Sequence, residues 1–220
     1  AHLEEFITPP STRDFNLFQE WAEDNIVILT IAPELPGAED VIRHAVKQGV
    51  IVSLGHHYSD DEYLQRAVIA GARCSTHLGN GIPMEIHRNQ NPIWWQLACD
   101  DLFASFVTDR VHLSPAFIKT ALRAKTAKKF IVTSDANAYS GMPAGSYDVG
   151  NRKLLIESSG RMSFDNSVYF AGSYATMIDC MNYLASLKLL TEDEMWDVGF
   201  ANALRFLGRD PSSLLKLTDT

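Results

Sequence analysis

Hydrophobic and polar positions follow two alternating rhythms along the chain. Short apolar runs rich in β-branched residues read as buried strands: NIVILTIAP (25–33), GVIVSLGH (49–56), ARCSTHL (72–78), LFASFVTD (102–109) and KFIVTSDA (129–136). Amphipathic stretches lie between them. AEDVIRHAVKQG (38–49) places Val41, Ile42, Ala45 and Val46 on one face and stops at Gly49. DDEYLQRAVIAG (60–71) opens with acids and also stops at a glycine, whereas SPAFIKTALRAK (114–125) opens with Ser at the N-cap and Pro just inside it. A strand–helix repeat of about 20–30 residues is βα-unit spacing and predicts a parallel sheet.

From about residue 147 the pattern changes. YDVGNRKLLIESSGRMSF predicts a short hairpin excursion with turns near Gly150 and Gly160. Two helical segments follow, ATMIDCMNYLASLKLL and TEDEMWDVGFANALRFLG, the second opening with a capping box at Thr191 and Glu194. No Gly-rich phosphate fingerprint follows the first strand, which disfavours a dinucleotide fold. The expected class is α/β, a (β/α)8 TIM barrel with about the last five barrel strands present. Residues 1–220 are then expected to form a single domain, the C-terminal part of such a barrel. The opening AHLEEFITPP has no initiator Met, so the polypeptide is expected to start earlier.

Composition narrows the function. A net charge of -8 without a Lys/Arg cluster argues against nucleic acid or an anionic membrane as partner. A small anionic substrate stays open, because one arginine or helix N-terminus can hold a phosphate. Cys74, Cys99 and Cys180 are widely spaced and odd in number, so neither a disulfide framework nor a thiolate zinc site is predicted. A reducing, cytoplasmic setting is expected, with no signal peptide or membrane span.

In parallel barrels the chemistry sits at the C-terminal strand ends. Those positions here are Pro33-Glu34, His56, His77, Asp109 followed by His112, and Asp135. One such residue would ordinarily be a structural hydrogen bonder; five in register point to a site. Two His plus an Asp suggest a hydrolytic metal centre, with imidazole nitrogens on the ion and a carboxylate handling protons. His56 and His57 are adjacent in a strand and cannot both face the same way.

The stretches TIAPE (30–34), SLGHHYSDDE (53–62), STHLGNGIP (75–83), VTDRVH (107–112), IVTSDANAYSG (131–141), FAGSYATM (170–177) and ANALRFLG (201–208) occur in the order of one family. By them the chain resembles the N-acetylglucosamine-6-phosphate deacetylases of the amidohydrolase superfamily, from Ala1 to about Leu207. The resemblance implies a metal-dependent hydrolase that removes acetyl from an N-acetylated amino-sugar phosphate. It implies a divalent metal, zinc foremost with iron, cobalt or manganese as alternatives, held by His56 and His77. Asp135 would be the catalytic carboxylate. Asn80, Gly81 and Arg88 would hold the sugar phosphate, and Asp109 and His112 would belong to the substrate site. His2 would contact the substrate near its amide, and Phe170, Ala171 and Gly172 would line the sugar. By the same pattern His56 is the ligand and His57 is a solvent-side or supporting residue.

The family's remaining metal ligand is a glutamate expected upstream of Ala1. Typical members also have glycine at the position of Arg110; an arginine here could add a phosphate contact, fill the pocket or simply be solvated. A homodimer is expected. The alternatives are an amidohydrolase for a different N-acyl sugar or cyclic amide, and a catalytically dead sugar-phosphate binder.

Overall fold

In the computed structural model, residues 4–215 are described. Five strands, β1 (Ile28–Ile31), β2 (Ile51–Leu54), β3 (Cys74–Ser75), β4 (Phe103–Val107) and β5 (Phe130–Thr133), form a sheet in the order of the sequence. β1 and β2, β2 and β3, and β3 and β4 run parallel. Each strand falls inside one of the predicted apolar runs, but β3 is reduced to two residues. By contact density the chain divides into two compact units. One comprises the chain up to Ala104 with the stretch from Leu204 onward, the other Ser105–Ala203.

The first unit packs α1 (Thr12–Trp21), α2 (Ala38–Lys47), α3 (Asp61–Ala70) and α4 (Pro92–Ala98) with the early strands. Three of its four helices start where short polar side chains replace the missing backbone acceptors, whereas α2 starts at Gly37 without a side-chain cap. Asp60 accepts from the amides of Glu62 and Tyr63 ahead of α3, and Asn91 accepts from Ile93 ahead of α4. α3 ends on Gly71 at φ 118, in the left-handed region. The core gathers Val41, Ile42 and Ala45 of α2, Leu64, Ala67 and Ala70 of α3, and Val52 and Leu54 of β2. That is the apolar face predicted for α2, except that Val46 is 38% exposed. Gln19 is buried and bonds the backbone of Ile26 in both directions, which ties α1 to the start of β1.

The second unit holds α5 (Pro115–Lys129), β5, an antiparallel sheet and the later helices. α5 begins at the predicted Ser114 cap but runs beyond 125, and is broken at Thr126 by non-helical backbone. The hairpin excursion is a three-stranded antiparallel sheet of β6 (Gly145–Val149), β7 (Arg152–Ile156) and β8 (Met162–Phe164), turning at the two predicted glycines. Leu154, Ile156 and Met162 form its small core. α6 (Met177–Ser186) starts from a capping box of Thr176 and Asp179 that pattern reading missed. α7 (Glu192–Trp196) starts from the predicted box of Thr191 and Glu194, then passes through a π-helical turn over Asp197–Ala201. Fully buried Asn202 donates to the carbonyls of Ala127 and Phe130. Those carbonyls flank the end of α5, so the bonds anchor the helix that follows the π turn. Among the described residues no helix is long and apolar enough to cross a membrane.

Candidate active site

In the first unit, the residues just after β2 and β3 are drawn together. Gly55 precedes His56, and a Cβ there would lie 2.7 Å from Thr76 Cβ and 2.9 Å from Thr30 Cγ2. Only glycine lets the end of β2 pass this close to its neighbours. Beneath it, the hydroxyls of Thr30 and Ser53 lie 3.0 and 2.6 Å from that of Thr76, the residue before His77. The strand ends are therefore stitched by polar contacts. The Nε2 atoms of His56 and His77 approach to 2.9 Å, with ring centroids 4.7 Å apart and planes at 78°. Both backbones are left-handed, at φ 53 and φ 32. Such backbone is uncommon outside glycine and is held only where surrounding structure enforces it.

Asn80 and Gly81 brace this pair. The backbone and side-chain amides of Asn80 both donate to the His77 carbonyl, at 3.0 and 3.2 Å. Gly81, at φ 66, lies so close to His56 that an added Cβ would sit 3.0 Å from its Nδ1. His57 does not face solvent: it is 5% exposed. Burial pushes its pKa below the ordinary value, while the charge of Glu34 and the Gln96 side chain partly restore it. Glu34 accepts from the Tyr58 amide at 2.9 Å and the Ser59 hydroxyl at 2.6 Å, closing the turn that follows His56. Arg88 is exposed, and its carbonyl receives the Trp94 indole N–H. His2 lies outside the described residues.

In the second unit, Asp109 organises a separate cluster. Its Oδ1 accepts from the amides of Val111 and His112, and its Oδ2 from the Ser173 hydroxyl at 2.8 Å. His112 Nδ1 lies 2.6 Å from Oδ2, and the two side chains are only 3% and 2% exposed. Burial alone would raise the Asp109 pKa. The hydrogen bond and charge of His112 with the amide and hydroxyl donors overcome it and hold the group at about 2. Asp109 is thus anionic, which requires Nδ1 to carry the proton and directs Nε2 away from the pair. The Phe170 ring packs 4.4 Å from the imidazole. Burial and two nearby carboxylates, Asp109 and Asp179, push the Cys180 thiol up to about 12, so it is no nucleophile.

Asp135 is half-buried and left-handed, at φ 53. Its carbonyl accepts from the Ser173 amide at 2.8 Å, and Gly172 packs so tightly that a Cβ would lie 3.1 Å from the same oxygen. Asn137 Nδ2 donates to Ala171. The stretch 170–173 therefore serves both Asp109 and Asp135. Ser173 was missed in the sequence reading, although it is the last letter of the FAGS motif.

Within each unit the predicted residues gather. His56, His77, Asn80 and Gly81 form one group, without Arg88. Asp109, His112 and Phe170 form another, with Ala171 and Gly172 against Asp135. The pair of imidazole nitrogens has the donor type and convergence expected for two ligands of a divalent ion. Among the described residues, no group of three or more His, Cys, Asp or Glu could hold a metal.

The architecture is that of an α/β protein whose strands end in histidines and carboxylates. No protein-family model matches the chain. It is 30% identical over 203 residues to N-acetylglucosamine-6-phosphate deacetylase of Lysinibacillus sphaericus, covering 92% of this chain and 52% of that protein. It is 28% identical over 189 residues to N-acetylgalactosamine-6-phosphate deacetylase of a Shewanella strain, covering 86% of this chain and 45% of that protein. The crystal structure of N-acetyl-D-glucosamine-6-phosphate deacetylase from Mycobacterium smegmatis matches with a TM-score of 0.85 at 25% identity, over 95% of this chain and 56% of that one. The chain belongs to the N-acetylglucosamine-6-phosphate deacetylase family. It spans about half the length of the curated relatives it matches.

Proposed function

We propose that this chain carries the metal-binding and proton-handling residues of a hydrolase that removes acetyl from an N-acetylated amino-sugar phosphate. The observation that carries the reading is the His56–His77 nitrogen pair, 2.9 Å apart at two strand ends, in a chain of this family. The five strands are then the later part of an amidohydrolase-type barrel, and residues 1–220 one portion of a single domain. Relatives named for both the gluco and galacto sugars leave the hexosamine open.

The two imidazoles would supply two donors to a divalent ion, zinc by donor type. When bound, the ion supplies Lewis acidity toward the amide carbonyl and water. The chain's own residues do the rest. Asp135 takes the proton of the attacking water and returns it to the leaving nitrogen. His112, with its proton fixed on Nδ1 by Asp109, offers Nε2 to a sugar hydroxyl, and Phe170 walls the ring. Asn80 and Gly81 hold the two metal histidines in place and line the phosphate end, with Arg88 from the neighbouring loop. His2 would approach the substrate amide. The setting is cytoplasmic and the assembly a homodimer.

The test pairs elemental mass spectrometry with turnover of N-acetylglucosamine-6-phosphate. About one divalent ion per chain and acetate release that collapses in Asp135→Asn support the reading. Sugar-phosphate binding without metal or turnover would instead support a catalytically dead binder.

A further inference from the structure

Arg110 is placed in an unusual way. The residue before it, Asp109, accepts from the amides of Val111 and His112 at 2.9 and 2.8 Å, so the turn carrying Arg110 is pinned. Arg110 sits at φ 74, a left-handed backbone that suits glycine and that other residues adopt at a cost. Its side chain is exposed and crosses Tyr183, with the guanidinium carbon 5.2 Å from the ring centroid. No ion pair among the described residues involves it.

The guanidinium stands on the wall of an open cleft of about 380 Å³, lined also by Tyr174, Tyr183, Asn182, Ser159 and Asp179. That volume suits a monosaccharide-sized ligand. Two carboxylates share the wall and differ in what they can offer. Both oxygens of Asp109 are taken, by two amides, His112 and Ser173. Asp179 caps its helix through Oδ2 alone, which accepts from the Thr176 amide at 2.9 Å and hydroxyl at 2.7 Å. Its Oδ1 lies outside the capping box. A guanidinium, a carboxylate oxygen, an amide and two tyrosine rings around one cleft suit a polyol that carries both signs of charge.

We infer that this cleft binds a deacetylated amino-sugar phosphate, with the phosphate on Arg110, the ammonium on Asp179 and the sugar against Tyr174 and Tyr183. The choice of amino sugar rests on the proposed function, and the site would hold that reaction's product. An N-acetylated sugar lacks the ammonium and would lose the Asp179 contact.

The test uses the full 220-residue chain with ring-¹³C tyrosine. Glucosamine-6-phosphate, N-acetylglucosamine-6-phosphate and inorganic phosphate are each titrated at the Tyr174 and Tyr183 resonances. Arg110→Gly removes the charge and relieves the backbone; Asp179→Asn keeps a capping oxygen. Glucosamine-6-phosphate is expected to bind about tenfold tighter than the acetylated sugar, and Arg110→Gly to weaken it about tenfold. Asp179→Asn should erase the preference between the two sugars. Unmoved tyrosine signals, or undiminished affinity in Arg110→Gly, would overturn the site. Equal affinity for the two sugars in the native chain would overturn the zwitterionic assignment. Hydrolysis is assayed in parallel. Turnover without binding at these tyrosines removes this inference and leaves the proposed function standing. Binding there without turnover does the reverse.

Discussion

Two histidine sites follow strand ends in this chain, and their neighbours give them opposite chemistry. His56 and His77 meet imidazole to imidazole. At 2.9 Å only one proton fits between two ring nitrogens, so at least one lone pair is directed inward, and a cation placed there would be met by both. His112 meets a carboxylate instead. The anion fixes the proton on Nδ1 and so decides what Nε2 can do. The same residue type at the same topological position becomes a ligand or an oriented hydrogen-bonding group according to what packs against it.

The comparison breaks most completely in His77→Ala. Divalent-ion uptake, read by elemental mass spectrometry, should be lost, and any deacetylation should fall by roughly a thousandfold. His112→Ala should instead keep the metal and weaken substrate binding. A His112 variant that lost its metal would show that the two sites do not have separate roles.

Gly81→Ala should act on the first site alone. A methyl 3.0 Å from His56 Nδ1, at φ 66, should cost about 1–3 kcal/mol in denaturant unfolding and lower metal affinity. Unchanged metal affinity would mean that Gly81 does not brace the pair.

Asp109→Asn sharpens the second site through pH. The native group falls from the ordinary 3.8 to about 2, so its stabilising contribution is present above pH 4 and is lost as pH drops through 2. The variant should be less stable at neutral pH and lack that acid-dependent loss in an unfolding series between pH 5 and 2. Parallel acid profiles for the two proteins would contradict the assignment. The smallest effect is expected far from both sites. Thr191→Ala removes the α7 cap and should cost about 1 kcal/mol, seen as a lower Tm with metal content unchanged.

Several of these features were legible from the residues. The five apolar runs contain the five strands; β2 and β5 are largely buried, as strands of a covered parallel sheet are, whereas β1, first in the sheet order, buries only Ile31. Glycine stops, the Ser114 cap and the Thr191 box act locally, so they mark helix ends reliably. The Thr176 box was missed because Asp179 at its third position is a less familiar partner than Glu. β3 was overpredicted: ARCSTHL looks uniformly strand-like, yet only Cys74 and Ser75 pair, and the chain then turns to place His77. His57 could be separated from His56 by alternation, but its burial against Glu34 and Gln96 depends on segments far apart in sequence.

The sequence by itself determined the βα rhythm, the strand-end positions of His56, His77, Asp109 and Asp135, and the family. Each of these is carried by local pattern or by motifs in order. Tertiary structure decided what those residues can do. Hydrogen-bond partners such as Ser173 for Asp109, the left-handed backbone at His56, His77, Arg110 and Asp135, and the cleft beside Arg110 arise from contacts between distant segments. Protonation and ligand geometry are set by the nearest charges and donors in space, and spacing along the chain does not encode them.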